Sequence, residues 1–254
     1  MLFREDNVAN FSKIFVVFFL SLTLITSCTP LSAESHSAAD AIGGVEGEVY
    51  SVAQYQEVSL SKSEAKTRNA SMKIYNQRGG HGSGAYFLFQ GYHVVFTAAH
   101  VVSGSPINTV VDKNGNRRTG ALVYIDHKID FAIILVPRFK DIEPLKLKLP
   151  EYNPSEEIGR NLIFSGFPGS QSLRTTRGVI AGVEGRYFVM HSTAWSGSSG
   201  SCVFDSKGNF VGILFALSVS RFSGEPVLLE SMAWVEPYTA IDWKLVKDTI
   251  DSLN

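Results

Sequence analysis

Three residues of this 254-residue sequence have the types and spacing for nucleophilic chemistry: His100, Asp130 and Ser199, in that order along the chain. Ser199 lies in Trp195-Ser196-Gly197-Ser198-Ser199-Gly200-Ser201-Cys202, whose core has the form Gly-x-Ser-Gly-x. Residues without a Cβ let the backbone turn sharply and bring N–H groups close to a bound carbonyl. A nucleophilic serine needs that setting, because its hydroxyl must stand beside donors that stabilise the oxyanion formed on attack. Ser196, Ser198 and Ser201 compete with Ser199 in the same run, and serine-glycine loops are common without any chemistry. What favours Ser199 is the chain upstream. His100 belongs to Thr97-Ala98-Ala99-His100-Val101, directly after a β-prone run, and the small residues before it let its imidazole project into a cleft. Asp130 opens the apolar run Asp130-Phe131-Ala132-Ile133-Ile134-Leu135. A half-buried acid there suits holding an imidazole in one tautomer. Asp126 is the rival acid, while His81 and His127 read as structural histidines.

The elements that must position these side chains are strands. Met72–Tyr75, Ala85–Phe89, Val94–Phe96, Ala121–Ile125 and Phe131–Val136 are short β-prone runs punctuated by turn residues. Leu162–Phe164, Val179–Val183, Tyr187–Met190, Val203–Phe204 and Phe210–Leu217 continue the pattern. Asn114-Gly115 is a hairpin turn signal, and Lys207-Gly208-Asn209 joins two of the later runs. Many short strands without βαβ alternation predict an all-β sandwich or barrels. One helix is expected at the end, where Trp243, Val246, Ile250 and Leu253 recur at helical spacing and Thr239-x-x-Asp242 can cap the start.

Composition narrows the partners. Apolar residues make up 44% and charged residues 19%, an ordinary globular balance that can bury a sizeable core. The net charge is −1 with no long basic run, so no nucleic-acid partner is expected. No metal-ligand cluster stands out, and no cofactor is expected. Only Cys28 and Cys202 are present, too few for a disulfide framework, and Cys202 reads as an unpaired, buried thiol.

Residues 1–27 read as an export signal. Arg4 and Lys13 precede a nearly unbroken apolar run from Ile14 to Ile25, short for a membrane span but suited to the h-region of a leader. Ile25-Thr26-Ser27-Cys28 resembles the lipobox of bacterial lipoprotein signals. That resemblance implies cleavage before Cys28 and acylation of its thiol, with several chains securing membrane attachment. Ordinary cleavage after Leu31-Ser32-Ala33 is the alternative. Residues 28–68 are rich in Ser, Ala, Glu and Gly and read as a flexible tether, with ordered structure expected from about Ala70.

Five segments together resemble a chymotrypsin-fold serine peptidase of the bacterial branch that includes glutamyl endopeptidases and periplasmic heat-shock peptidases. They are Gly82-Ser83-Gly84, Thr97-Ala98-Ala99-His100, Asp130-Phe131-Ala132, Gly166-Phe167-Pro168-Gly169, and Gly197-Ser198-Ser199-Gly200-Ser201 with the strands after it. The order histidine, aspartate, serine is that family's order. The resemblance implies two packed six-stranded antiparallel barrels with a C-terminal helix, the peptidase domain occupying 69–254. The first barrel is expected over about 70–145 and the second over about 155–240. By resemblance Ser199 is the nucleophile, His100 the general base and Asp130 its orienting acid, with the N–H groups of Gly197 and Ser199 as oxyanion donors. The substrate is then a protein or peptide. The sequence is silent on oligomeric state, and no PDZ-like domain is expected after Asp242.

Departures from the family pattern are informative. Cys202 stands where proline is usual, and Ser198 stands where pancreatic-type enzymes carry an aspartate that pairs with a newly cut N-terminus. In the specificity pocket, Thr193 takes the floor position where trypsin-like enzymes carry an aspartate. Leu214 takes the position where glutamyl endopeptidases carry a histidine, and Leu217 follows on the same strand. Without a charged partner the pocket is expected to accept small to medium uncharged side chains. Two other readings compete with an active peptidase: a catalytically silent homologue that binds protein ligands in the same cleft, and a β-rich surface adhesin.

Overall fold

Thirteen strands organise the part of the chain that the computed structural model describes, residues 60–222 and 225–253. The expected leader, Cys28 and the expected tether as far as residue 59 lie outside the described residues. The first group of strands is β1 (Ser71–Tyr75), β2 (His81–Phe89), β3 (Tyr92–Thr97), β4 (Ile107–Val111), β5 (Arg117–Asp126) and β6 (Phe131–Leu135). They follow the order β1-β4-β5-β6-β3-β2 and close through antiparallel pairing of β1 with β2. A two-residue strand, β7 (Leu145–Lys146), adds parallel to the edge of β2. The second group is β8 (Asn161–Gly166), β9 (Arg174–Glu184), β10 (Tyr187–His191), β11 (Cys202–Asp205), β12 (Phe210–Phe222) and β13 (Glu225–Pro237). It closes as β10-β13-β12-β11-β8-β9. The fold is therefore two six-stranded antiparallel barrels, as the family resemblance implied. Closure removes the free sheet edges that would otherwise offer pairing to another chain.

Aromatic packing joins the barrels. Phe87 and Phe96 stack in the first barrel at 4.4 Å between centroids, and Phe96 also meets Phe210 of the second at 6.0 Å. Trp243 reaches back from the C-terminal helix α3 (Trp243–Asp251) to Phe96 and Phe131, each at 6.1 Å. A separate core of Leu162, Ile180, Phe188, Val211, Leu214 and Val235 fills the second barrel. Val246 and Ile250 are the buried residues of α3, whereas Leu253 lies beyond the helix and is exposed. Its N-cap is Asp242, whose side chain accepts from Leu245 N at 3.0 Å. Thr239, expected to open the cap, sits instead in a short 3-10 turn.

Ordered structure begins earlier than the composition suggests. Helix α1 (Lys62–Asn69) occupies the end of the expected tether. It has almost no apolar face, so hydrophobic patterning could not reveal it. Polar contacts hold it instead. Ser61 and Glu64 form a reciprocal capping box. The Glu64 carboxylate also takes two 2.8 Å hydrogen bonds from Arg177 of β9, and Arg68 donates to Thr175 on the same strand. Lys66 pairs with Glu143 at 2.8 Å.

Candidate active site

The histidine and aspartate singled out from sequence meet directly. His100 lies in the one-turn helix α2 (Ala99–Val102), which begins as β3 ends. Asp130 closes the turn between β5 and β6. Its Oδ1 accepts the backbone N–H of His100 at 2.8 Å, its Oδ2 lies 2.6 Å from His100 Nδ1, and its carbonyl accepts Ala99 N at 3.1 Å. An ionised carboxylate only accepts, so in the neutral imidazole this contact selects the tautomer with the proton on Nδ1 and the lone pair on Nε2. The His100 side chain is 48% exposed and that of Asp130 23%, which leaves the imidazole open to a reactant. Asp130 adopts a φ of +49°, in the left-handed region that aspartate and asparagine tolerate better than most residues with a side chain. The rival Asp126 does other work: its Oδ1 accepts Lys128 N at 2.8 Å and shapes the same turn.

The serines of the glycine-rich loop separate by burial. Ser198 is 1% exposed and its Oγ accepts from Trp195 N, while Ser201 is fully buried. Ser196 is exposed. Ser199 is half-exposed, and its hydroxyl has no hydrogen-bond partner among the described residues. Backbone bonding in the loop alternates. The N–H groups of Ser198, Gly200 and Ser201 donate to Trp195, Leu214 and Ser198 carbonyls, whereas those of Gly197 and Ser199 are unbonded among the described residues. Two nearby N–H groups without partners are what an oxyanion site requires.

Close packing against the first barrel sets the loop's position. Ser83 N donates to Ser199 O at 2.8 Å. Gly82 has no room for a Cβ, which would strike the methyls of Val101 and the Ser199 carbonyl. A Cβ on Gly200 would strike the Ser83 carbonyl, the Thr97 hydroxyl and Ala98 N, two residues before His100. Ser83 Oγ donates to Gly197 O at 2.7 Å and accepts from Phe167 N at 2.9 Å, tying three segments together. Gly169 N donates to Ser196 O at 2.6 Å, which holds the Ser196–Gly197 peptide whose opposite side carries the Gly197 N–H.

Sequence reasoning missed one neighbour. His81, read as structural, packs on Gly197, where its Nε2 and the Phe167 carbonyl leave no space for a Cβ. The same nitrogen accepts from Ser170 N at 3.2 Å. Burial lowers the affinity of His81 for a proton, and the neighbouring Lys73 lowers it further. The available signal was its place beside Gly82-Ser83-Gly84, the segment on which the serine loop rests. Cys202 is buried, as expected, and burial pushes its thiol well above the usual range.

The residues proposed from sequence for the specificity pocket fall in different surroundings. Thr193 is exposed and lines a surface cleft with Thr176, His191 and Ser231. Leu214 is 1% exposed in the second-barrel core and meets the serine loop through its backbone, accepting Gly200 N at 2.7 Å and donating to Ser201 O at 3.0 Å. Leu217 is half-buried against the same core.

Comparison with known proteins agrees with this arrangement of strands. Residues 82–213, over half of the chain, match the family model described as a trypsin-like peptidase domain. No curated protein matches the sequence. Among solved structures, the inactive form of the Rv3671c protease of M. tuberculosis superposes with a TM-score of 0.58 at 21% identity, covering 73% of this chain and 92% of that one. Its active form gives 0.60 at 21% identity, with 73% and 83% covered. The serine endoprotease from Yersinia pestis gives 0.61 at 22% identity, covering 76% of this chain and 67% of that one. At these identities the likeness concerns the fold.

Proposed function

The chain belongs to the trypsin-like peptidase family, and on that premise we propose that it is an exported serine endopeptidase working through Ser199, His100 and Asp130. Ser199 Oγ attacks the carbonyl of a bound peptide. The lone pair at His100 Nε2 takes the hydroxyl proton and later returns it to the leaving amine, so an acyl-enzyme forms and is then hydrolysed. Asp130 holds the ring in the Nδ1–H tautomer and stabilises the imidazolium. The developing oxyanion is met by the N–H groups of Gly197 and Ser199. The observation that carries this reading is that those two amides have no partner among the described residues, while those of Ser198, Gly200 and Ser201 are bonded to backbone carbonyls. A donor with no ground-state partner needs no reorganisation when charge appears.

Cleavage is proposed after small or medium uncharged residues, because neither Thr193 nor Leu214 supplies a charge for an ionic substrate side chain. Discrimination should be modest, since one methylene in an apolar pocket is worth about 1–3 kcal/mol. A proteome-derived peptide library tests both parts. Internal cuts after Val, Ala, Leu or Thr that vanish in Ser199→Ala are expected. Dominant cutting after Glu, Lys or Arg contradicts the pocket reading, and no cutting at all contradicts the enzymatic one.

Export and lipid attachment through Cys28 complete the proposal, supported by the apolar leader and the lipobox-like Ile25-Thr26-Ser27-Cys28. Cys28→Ser should lose acyl labelling and detergent-phase partitioning. Equal membrane retention of the unprocessed variant would identify the apolar run as an anchor in its own right.

A further inference from the structure

Arg186 and Glu236 form an ion pair that the reaction described above does not use. Arg186 stands in the turn between β9 and β10, and Glu236 lies on β13 opposite Ile213 of β12. The Glu236 side chain is 2% exposed. Arg186 Nε lies 3.2 Å from its Oε2 and 3.1 Å from its Oε1, but only Oε2 receives an aligned hydrogen bond, which leaves Oε1 buried without one. The guanidinium spreads over the Tyr187 ring at 4.7 Å, and its Nη2 donates to the Tyr187 hydroxyl at 2.9 Å. The same Nη2 donates to the backbone carbonyl of Lys128. Lys128 belongs to the first barrel and lies two residues before Asp130.

We propose that Arg186 is a positioning residue, mounted on buried Glu236, that clamps the Lys128 carbonyl and thereby holds the Asp130 turn of the first barrel from the second. Within the turn, Asp126 already fixes Lys128 N, and the clamp fixes the carbonyl of the same residue. Glu236 is buried whereas the Arg186 side chain is 43% exposed, so removing Arg186 leaves a buried carboxyl without its partner. Glu236 thus anchors the guanidinium that reaches Lys128. Besides Arg186, the charged groups that act on Glu236 are Asp130 and Asp126. Burial raises the Glu236 carboxyl to about 7 against the pull of Arg186, with Asp130 and Asp126 adding to the rise.

The kinetic arm of the test rests on the peptidase reading, so a second arm is independent of turnover. The proton shared by His100 Nδ1 and Asp130 should give a downfield 1H NMR resonance in the wild-type protein. Arg186→Ala should lower both Tm and kcat. In Arg186→Ala combined with Glu236→Met no buried polar side chain is left without a partner, so Tm should recover. Yet kcat should stay lower by about 10- to 100-fold, as expected for a misplaced catalytic group. KM should remain within about twofold, since substrate binding is untouched. The downfield resonance should stay broadened by exchange in that double variant. Recovery of kcat and of the resonance together with Tm would show a merely structural pair and overturn the proposal. So would an unchanged resonance in Arg186→Ala, or its absence from the wild type. A wild type that shows the resonance but cuts nothing refutes the peptidase reading and leaves the clamp to be judged by NMR alone.

Discussion

Gly197 shows how much of the proposed chemistry rests on a missing side chain. Its φ of +93° is one that only glycine adopts without strain, and His81 and the Phe167 carbonyl occupy the space a methyl would need. Gly197→Ala should therefore turn the peptide and withdraw one oxyanion donor. The expected loss is about 10²–10³ in kcat, with KM little changed, as for removal of a single donor elsewhere. Steady-state kinetics on a peptide substrate checks this, and an unaltered kcat would mean that the Gly197 N–H does not serve the reaction. The sequence pointed to His100, Asp130 and Ser199 because each sits in a distinctive short motif and they follow the family order. The burial that sets Ser199 apart from Ser198 and Ser201 was not legible, because adjacent letters do not encode it. His81 escaped notice because its role comes from a fold-dependent contact with a residue over a hundred positions away.

Among the elements, those with continuous apolar runs were readable and those held by polar contacts were not. β6, with Phe131 to Leu135 almost wholly buried, announces itself. β4 contains Asn108 and Thr109, although the Asn114-Gly115 turn that follows it was recognised. β13 opens with Glu225-Pro226, and proline weakens any strand signal. β7 is only two residues long. Helix α1 is the most telling case, because a capping box and long-range ion pairs supply what its sequence lacks in apolar surface. Glu64 serves both, and its hydrogen bonds with Arg177 hold its carboxyl at about 2, below the ordinary 4.5. A carboxyl with a lowered folded value stabilises fully above its unfolded value and loses that contribution as the pH falls toward the folded one. Docking of α1 should accordingly weaken between pH 4.5 and 2. Glu64→Ala should lower stability by about 1–2 kcal/mol at neutral pH and flatten that acid dependence. Thermal melts across pH with hydrogen exchange on residues 62–69 provide the check, and identical curves for both proteins would remove α1 from the stability of the domain.

At the scale of the molecule, the site is a seam. The first barrel contributes the His100–Asp130 pair and the Gly82-Ser83 shelf, and the second contributes the loop of Ser199 that rests on that shelf. Neither barrel holds all the parts. Aromatic contacts from Phe87 and Phe96 to Phe204, Phe210 and Trp243 fix the barrels against each other, so the seam inherits the rigidity of a packed core. The resemblance in the sequence anticipated this arrangement because its motifs lie on both barrels in family order. The claim on which the account depends is that Ser199 is an activated nucleophile. Labelling with a fluorophosphonate, which phosphonylates only serines activated in this way, tests it directly. The wild-type protein should be labelled on one residue, Ser198→Ala and Ser201→Ala should keep the label, and Ser199→Ala should lose it. Undiminished labelling of Ser199→Ala, or a wild type that takes no label, would contradict the account.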